Sequence, residues 1–259
     1  MNMKIQIASD LHLEFPENKK WIAENPLMPR GDVLLLAGDI VVDKYKKKAK
    51  DFYEKIENDF SHIISTMGNH EFYHGTCTYA YPSYSSQITE HHVKLNNKVI
   101  IIDCVKFVVS TMWSHVRQNE DLTIGAVMND YKIIVAKDSI DNCKIPITTA
   151  TTNRYHEISL KFIKEEVEKE FDGKIVIMTH HIPSYQHINK MYINSRINSA
   201  YATNLDDFII SNPNIALWVC GHSHEFQDIM IGKTRVVRNA LGYVEKENIT
   251  FKRDFFVEI

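Results

Sequence analysis

The sequence predicts an α/β fold, and three observations carry that expectation. Five apolar runs end alike, each followed by Asp, Asn or His: Lys4–Ser9 before Asp10, Asp32–Ala37 before Gly38-Asp39, His62–Met67 before Gly68-Asn69, Lys174–Thr179 before His180, and Ile215–Cys220 before Gly221-His222. Several of these runs are near-continuous rather than alternating, the pattern of strands covered on both faces. Amphipathic stretches separate them, so strand, helix and strand alternate as in a right-handed parallel βαβ unit.

In chain order, Lys4–Ser9 alternates into a first strand and reaches Asp10-Leu-His12. Those two polar residues are two apart, so both can face one side of an extended segment. Pro16, Pro26 and Pro29 mark an irregular connection containing Trp21. Lys44 to Phe60 reads as one helix, with Tyr45, Ala49, Phe52, Tyr53 and Ile56 on a stripe and Lys46-Lys47-Lys48 on a solvated face. Tyr73 to Ser86 reads as a loop, followed by a short helix to about His92, and Val99–Asp103 and Val105–Thr111 as adjacent strands.

From Trp113 to Asn153 no clear period holds. That stretch is too short for its own core and is expected to be an insertion near the site, within a single domain covering residues 1–259. Arg154–Phe171 is the strongest helix, closing at a Gly173 cap. A loop with His187, Tyr192, Arg196 and Tyr201 follows, then a short helix from Asn204 to Ile210. Phe226–Ile231 and Thr234–Arg238 form a hairpin about Gly232-Lys233, and Phe255–Glu258 an edge strand.

The composition, 44% hydrophobic and 24% charged, is that of an ordinary globular protein. A net charge of −3 gives no basic footprint, so nucleic acid enters only as a nuclease substrate, with metals supplying the positive charge. Four scattered cysteines without a CxxC pair suit reduced thiols in a cytoplasm. No apolar run approaches a membrane span and the N-terminal residues 1–10 are too short in apolar length for a signal peptide, so the expectation is a soluble cytoplasmic protein with no membrane partner. Nothing in the sequence indicates an oligomeric state.

Glycine is scarce, at nine residues, yet Gly38, Gly68 and Gly221 sit directly before Asp39, Asn69 and His222. Glycine is what a sharp turn out of a strand requires. In α/β folds function collects beyond the carboxyl ends of the strands. Together the five ends offer Asp10, His12, Asp39, Asn69, His70, His180, His181, His222 and His224, a set of two carboxylates, one amide and several imidazoles without a thiolate. That set suits divalent Mn, Fe, Zn, Ni or Mg rather than a structural zinc site. It is large enough for two metal ions bridged by a carboxylate such as Asp39, an arrangement that brings the pKa of a bridging water toward neutrality and clamps an in-line displacement at phosphorus. Taken singly, each residue is better read as a turn cap or a buried polar group. The five in order are not.

Asp10-Leu-His12, Gly38-Asp39, Gly68-Asn69-His70-Glu71, Thr179-His180 and Gly221-His222-Ser-His224, in this order, resemble the calcineurin-like metallophosphoesterase superfamily. The motifs span residues 10–224. The resemblance implies a four-layer α/β/β/α sandwich with a dinuclear metal centre at one edge. It implies a first metal on Asp10, His12, Asp39 and His224 and a second on Asp39, Asn69, His180 and His222. His70 would lie over the site as a proton donor to the leaving oxygen.

One departure concerns the aspartate that orients this histidine in the family's Gly-Asp-x-x-Asp. Here Gly38-Asp39-Ile-Val-Val-Asp43 has one residue too many, and Lys44 stands where the protein phosphatases of the family carry Arg. Asp43 is therefore only a candidate support for His70. Glu71 is expected in turn hydrogen bonding and His181, pointing away from its neighbour, in a supporting place; Cys220 packs, and His62, His91, His92 and His156 read as surface. Tyr73, His74, Trp113, His115, Arg154, His187, Tyr192 and Arg196 are loop or element-end residues able to face substrate. The expected activity is hydrolysis of a small phosphodiester or phosphomonoester by a metal-bridging hydroxide, with a nuclease or a silent scaffold as the alternatives.

Overall fold

Parallel pairing of the apolar runs builds two six-stranded sheets in a computed structural model that describes residues 2–137, 143–247 and 249–259. The first sheet contains β1 (Lys4–Ala8), β2 (Val33–Leu36), β3 (His62–Ser65), β4 (Tyr84–Gln87), β5 (His92–Asn96) and β14 (Phe256–Glu258), in the order β14-β1-β2-β3-β5-β4. The second contains β6 (Lys98–Ile102), β7 (Val105–Val109), β10 (Lys174–Met178), β11 (Ile215–Cys220), β12 (Gln227–Ile231) and β13 (Thr234–Arg238), in the order β12-β13-β11-β10-β7-β6. A two-stranded ribbon, β8 (Val135–Lys137) with β9 (Lys144–Pro146), stands apart. The helices are α1 (Pro16–Glu24), α2 (Lys50–Ile56), α3 (Asp121–Val127), α4 (Asp130–Ile133), α5 (Thr149–Glu168) and α6 (Asp206–Ser211).

Alternation along each strand explains the layers. Ile5, Ile7, Val33 and Leu35 meet Phe107, Val109, Val176 and Val219 in one cluster between the sheets. Their sequence neighbours point the other way: Leu34 and Leu36 pack on Ile22 of α1 and Phe52 and Ile56 of α2. On the far side Val108, Ile177 and Trp218 pack on Ile163 and Val167 of α5 and Ile209 of α6. Each such side chain stabilises the fold by about 1.5–3 kcal/mol. The result is the expected α/β/β/α sandwich, and its strands read as continuous apolar runs because both faces are covered.

Several local expectations change. The proline-marked connection contains α1, with Pro16 at the helix start, where a missing N–H is harmless. The single helix expected over 44–60 splits into a 3₁₀ segment, Asp43–Ala49, and α2, with non-helical φ/ψ at Tyr45. Instead of a helix leading to His92, β4 and β5 form an antiparallel pair with Tyr84 opposite Asn96. His92 is buried and bonded to the Ser65 hydroxyl at 2.7 Å, and His156 is buried on α5 against the Trp113 carbonyl, so neither is a surface histidine.

Helix α5 starts at Thr149 because Thr148 and Thr151 form a capping box, and it ends at Glu168 with Lys169, not Gly173, as its cap. The stretch expected as an insertion carries α3, α4 and the ribbon, and its last residues already belong to α5; residues 138–142 of it lie outside the described residues. Among the described residues no helix is long and apolar enough to cross a membrane.

Candidate metal centre

The strand ends converge because β1, β2 and β3 are parallel neighbours in one sheet and β10 and β11 in the other. A parallel bridge between Ser9 and Ala240 joins the two sheets at this edge. Beyond the last strand residue the chain turns sharply. Asp10, His12, Asp39 and His222 all hold positive φ, at 54°, 48°, 54° and 69°. For a residue with a Cβ that region costs about 1–2 kcal/mol. Bonds across the turns hold it: Asp10 N–H donates to the Gly38 carbonyl at 3.0 Å, His12 N–H to the Asp39 carbonyl at 2.9 Å, and His70 N–H to Asp39 Oδ1 at 2.8 Å. Four strained polar residues at one edge are the mark of a functional site. Gly68 is required there for space, since a Cβ would collide with the Asp39 carboxylate and the His180 ring.

Imidazole nitrogens and carboxylate oxygens meet at short range. His12 Nε2 lies 3.2 Å from His224 Nε2, and His224 Nε2 lies 3.6 Å from Asp10 Oδ1. Asp39 Oδ2 stands between the halves, 3.9 Å from His12 Nε2 and 3.4 Å from His180 Nε2, while His180 Nε2 is 3.0 Å from Asn69 Oδ1. Donor atoms of Asp10, His12 and His224 lie within 4.8 Å of one another, as do those of Asp39, His180 and His222. A third such group joins His12, Asp39 and His70.

The opposite ring nitrogens settle how these histidines face. His180 Nδ1 donates to the Ala37 carbonyl at 2.8 Å, His224 Nδ1 to Glu247 at 2.8 Å and His12 Nδ1 to Glu14 at 3.3 Å. Each bond keeps the proton on Nδ1 and turns the Nε2 lone pair inward, as a metal ligand requires. His222 is buried with its Nε2 unpartnered. These residues fit a divalent metal, and the charges agree. Burial pushes the His180 imidazole down, but Asp39 and Asp10 outweigh it and raise its pKa to about 9. His224 rises to about 10 against burial through Asp10 and Glu247. Burial instead lowers the His12 and His222 imidazoles, leaving them neutral as metal ligands must be, while Asp10 and Asp39, whose own pKa values are lowered, supply the negative potential that a cation satisfies.

The calcineurin-like phosphoesterase family model matches residues 3–226. The chain belongs to the calcineurin-like phosphoesterase family. It is 28% identical over 270 residues to an uncharacterised protein of Acanthamoeba polyphaga mimivirus, covering 94% of this chain and 92% of the relative. The solved phosphopantetheinyl hydrolase of Mycobacterium tuberculosis shares the fold at 16% identity, with a TM-score of 0.65 over 93% of this chain and 90% of that one. This calcineurin-like chain is accordingly a phosphoester hydrolase, in a family that is typically dimetal-dependent.

Within that frame the surroundings of His70 depart from the expectation. Asp43 binds Lys94 Nζ at 3.0 Å and accepts from Tyr79 at 2.5 Å, away from His70. Glu14 takes the place instead: its Oε1 accepts from His70 Nδ1 at 3.0 Å and from His12 Nδ1. Burial pushes this carboxyl up, but the two histidine bonds outweigh it and hold its pKa at about 2. Glu14 follows His12 by the same two residues that separate Asp10 from His12, a signal present in the sequence and missed there. His70 also stacks on Tyr73, with ring centroids 4.0 Å apart, and its Nε2 is 3.4 Å from the Tyr243 hydroxyl.

Glu71 closes the turns, accepting from the backbone N–H groups of Asp39, Ile40 and Gly68 at 2.7–2.9 Å. His181 is buried between Trp113 and the His222 ring, 4.2 Å from the latter. A cavity of about 590 Å³ opens over Asp39, Asn69, His70, His222 and His224. Tyr73 and Tyr192 line it; His74, Trp113, His115, Arg154, His187 and Arg196 do not. Its other walls include Asp130, from the stretch expected as an insertion near the site, and Tyr201, Tyr243 and Glu247, none of which the sequence singles out.

Proposed function

We propose that this chain hydrolyses a small phosphodiester or phosphomonoester with two divalent metal ions, one held by Asp10, His12, Asp39 and His224, the other by Asp39, Asn69, His180 and His222. The observation that carries the reading is the position of Asp39 Oδ2, within 4 Å of a ring nitrogen from each half of the cluster. When bound, such ions polarise phosphoryl oxygens and make water acidic enough to attack at neutral pH, and Mn, Fe, Zn, Ni and Mg all suit the oxygen and imidazole donors.

The protein's own groups complete the chemistry. His70, held against Glu14 and Tyr73 above the cluster, delivers a proton to the leaving oxygen. Burial alone would lower its pKa, but Asp39 and Glu14 raise it, which keeps the acid form available. Glu71 fixes the Asp39 turn through backbone bonds, so the carboxylate is oriented before substrate arrives.

The test is turnover of bis(p-nitrophenyl) phosphate and p-nitrophenyl phosphate by chelated protein with and without Mn²⁺. Metal-dependent hydrolysis of at least one is expected. Turnover of neither, in protein shown to contain two metals, refutes the proposal.

A further inference from the structure

The cavity above the cluster is far larger than a phosphoryl group needs, and its walls are selective in charge. Among the described residues no lysine or arginine lines it, whereas two carboxyl groups besides Asp39 of the cluster, Asp130 and Glu247, do. Glu247 is engaged by His224 Nδ1 and by the Tyr243 N–H at 2.8 Å. Asp130 is not engaged. It is 3% exposed, and neither of its carboxyl oxygens has a hydrogen-bond partner in the protein. Burial raises its pKa and outweighs the His70 ring, the Asn69 amide and the Asp130 N–H, which lie close enough to favour its ionised form but do not reach hydrogen-bond geometry on its oxygens. A buried carboxyl without donors is costly and persists where a ligand supplies them. Asp130 opens α4, directly after Met128 and Asn129, which also line the cavity, so this wall is built by the stretch that follows α3.

Resting on the phosphoesterase reading, we infer that the substrate is a phosphodiester monoanion, one ester arm of which carries an amine or hydroxyl group that Asp130 receives. Beyond the metal ions and His70, the described walls offer no Arg or Lys to meet the additional negative charge of a monoester dianion, which also has no second arm to fill the space. The tyrosines, with Met128, Ile182 and Ile197, offer that arm an amphipathic surface. Asp130 is thereby a specificity residue beside the reacting centre, distinct from the cluster that binds metal.

The probes are 3-aminopropyl p-nitrophenyl phosphate, its butyl analogue and p-nitrophenyl phosphate, tested on wild type and Asp130→Asn saturated with Mn²⁺ and with metal content measured. In wild type kcat/KM is expected to be about tenfold or more higher for the aminopropyl than for the butyl diester, and lowest for the monoester. Asp130→Asn is expected to bring the aminopropyl-to-butyl ratio near one, to raise monoester turnover several-fold, and to raise Tm, because it removes a buried unpaired charge. Equal wild-type rates for the two diesters, a wild-type preference for the monoester, or an unchanged ratio in the variant overturns the inference. A lowered Tm with all three substrates affected alike assigns Asp130 a structural role and also overturns it. Turnover of none of the three by metal-loaded wild type overturns the phosphoesterase reading itself.

Discussion

Glu14→Gln isolates the charge shared by His12 and His70. The substitution is sterically quiet, because Oε1 makes both histidine bonds and Oε2 has no partner. It turns a charge-assisted bond into a neutral one, a difference of roughly 1–1.5 kcal/mol. At 1.36 kcal/mol per unit, the pKa of His70 should fall by about one unit. The sign follows from the role: His70 must be protonated to donate, so activity holds below its raised pKa and is lost as pH rises through it. In Glu14→Gln the falling limb of kcat/KM should move down by about one pH unit. Above that limb, rates on an alkyl leaving group should drop roughly tenfold, while a p-nitrophenolate leaving group, which needs no proton, changes little. Metal affinity should weaken as well, since Glu14 orients His12, so the profiles must be taken at saturating Mn²⁺. An unmoved limb with full activity on the alkyl leaving group refutes the link between Glu14 and His70.

Two further outcomes test the surroundings. Asp43→Ala should leave kcat nearly unchanged but cost about 3 kcal/mol in urea unfolding, since it strands the buried Lys94 ammonium; a large kcat loss would restore Asp43 as the partner of His70. Burial holds His92 at about 3, His156 at about 4 and His187 at about 3, all below the unfolded value of 6.5. Below pH 6.5 the unfolded chain therefore binds protons first, and each histidine removes roughly 2 kcal/mol of stability by pH 5. The urea midpoint should fall steeply as pH drops from 6.5 to 5; a flat profile over that range contradicts the burial of these rings.

What the sequence disclosed follows from where the ligands sit. Asp10, Asp39, Asn69, His180 and His222 each come within a few residues of an apolar run, and sheet pairing brings the run ends together. The edge hairpin β4–β5 escaped notice because Tyr84–Gln87 alternates between half-buried and exposed and carries no apolar face. Asp43 was placed by motif spacing, but the extra residue before it carries its side chain to Lys94. Tyr243 and Glu247 have no local signature. They reach the site by a turn at Gly242, whose φ of 74° suits glycine, more than 200 residues after Asp10 in the sequence. Asp130 lies where no period is legible, in the second of two short helices whose place is set by packing rather than propensity.

The proposed chemistry depends on two metals sharing Asp39. Metal content and Mn²⁺ titration calorimetry on wild type, Asp39→Asn, His222→Ala and His224→Ala address it directly. Two ions per wild-type chain are expected, with both sites weakened in Asp39→Asn and one different site lost in each histidine variant. An Asp39→Asn protein that keeps two tightly bound ions contradicts a shared Asp39.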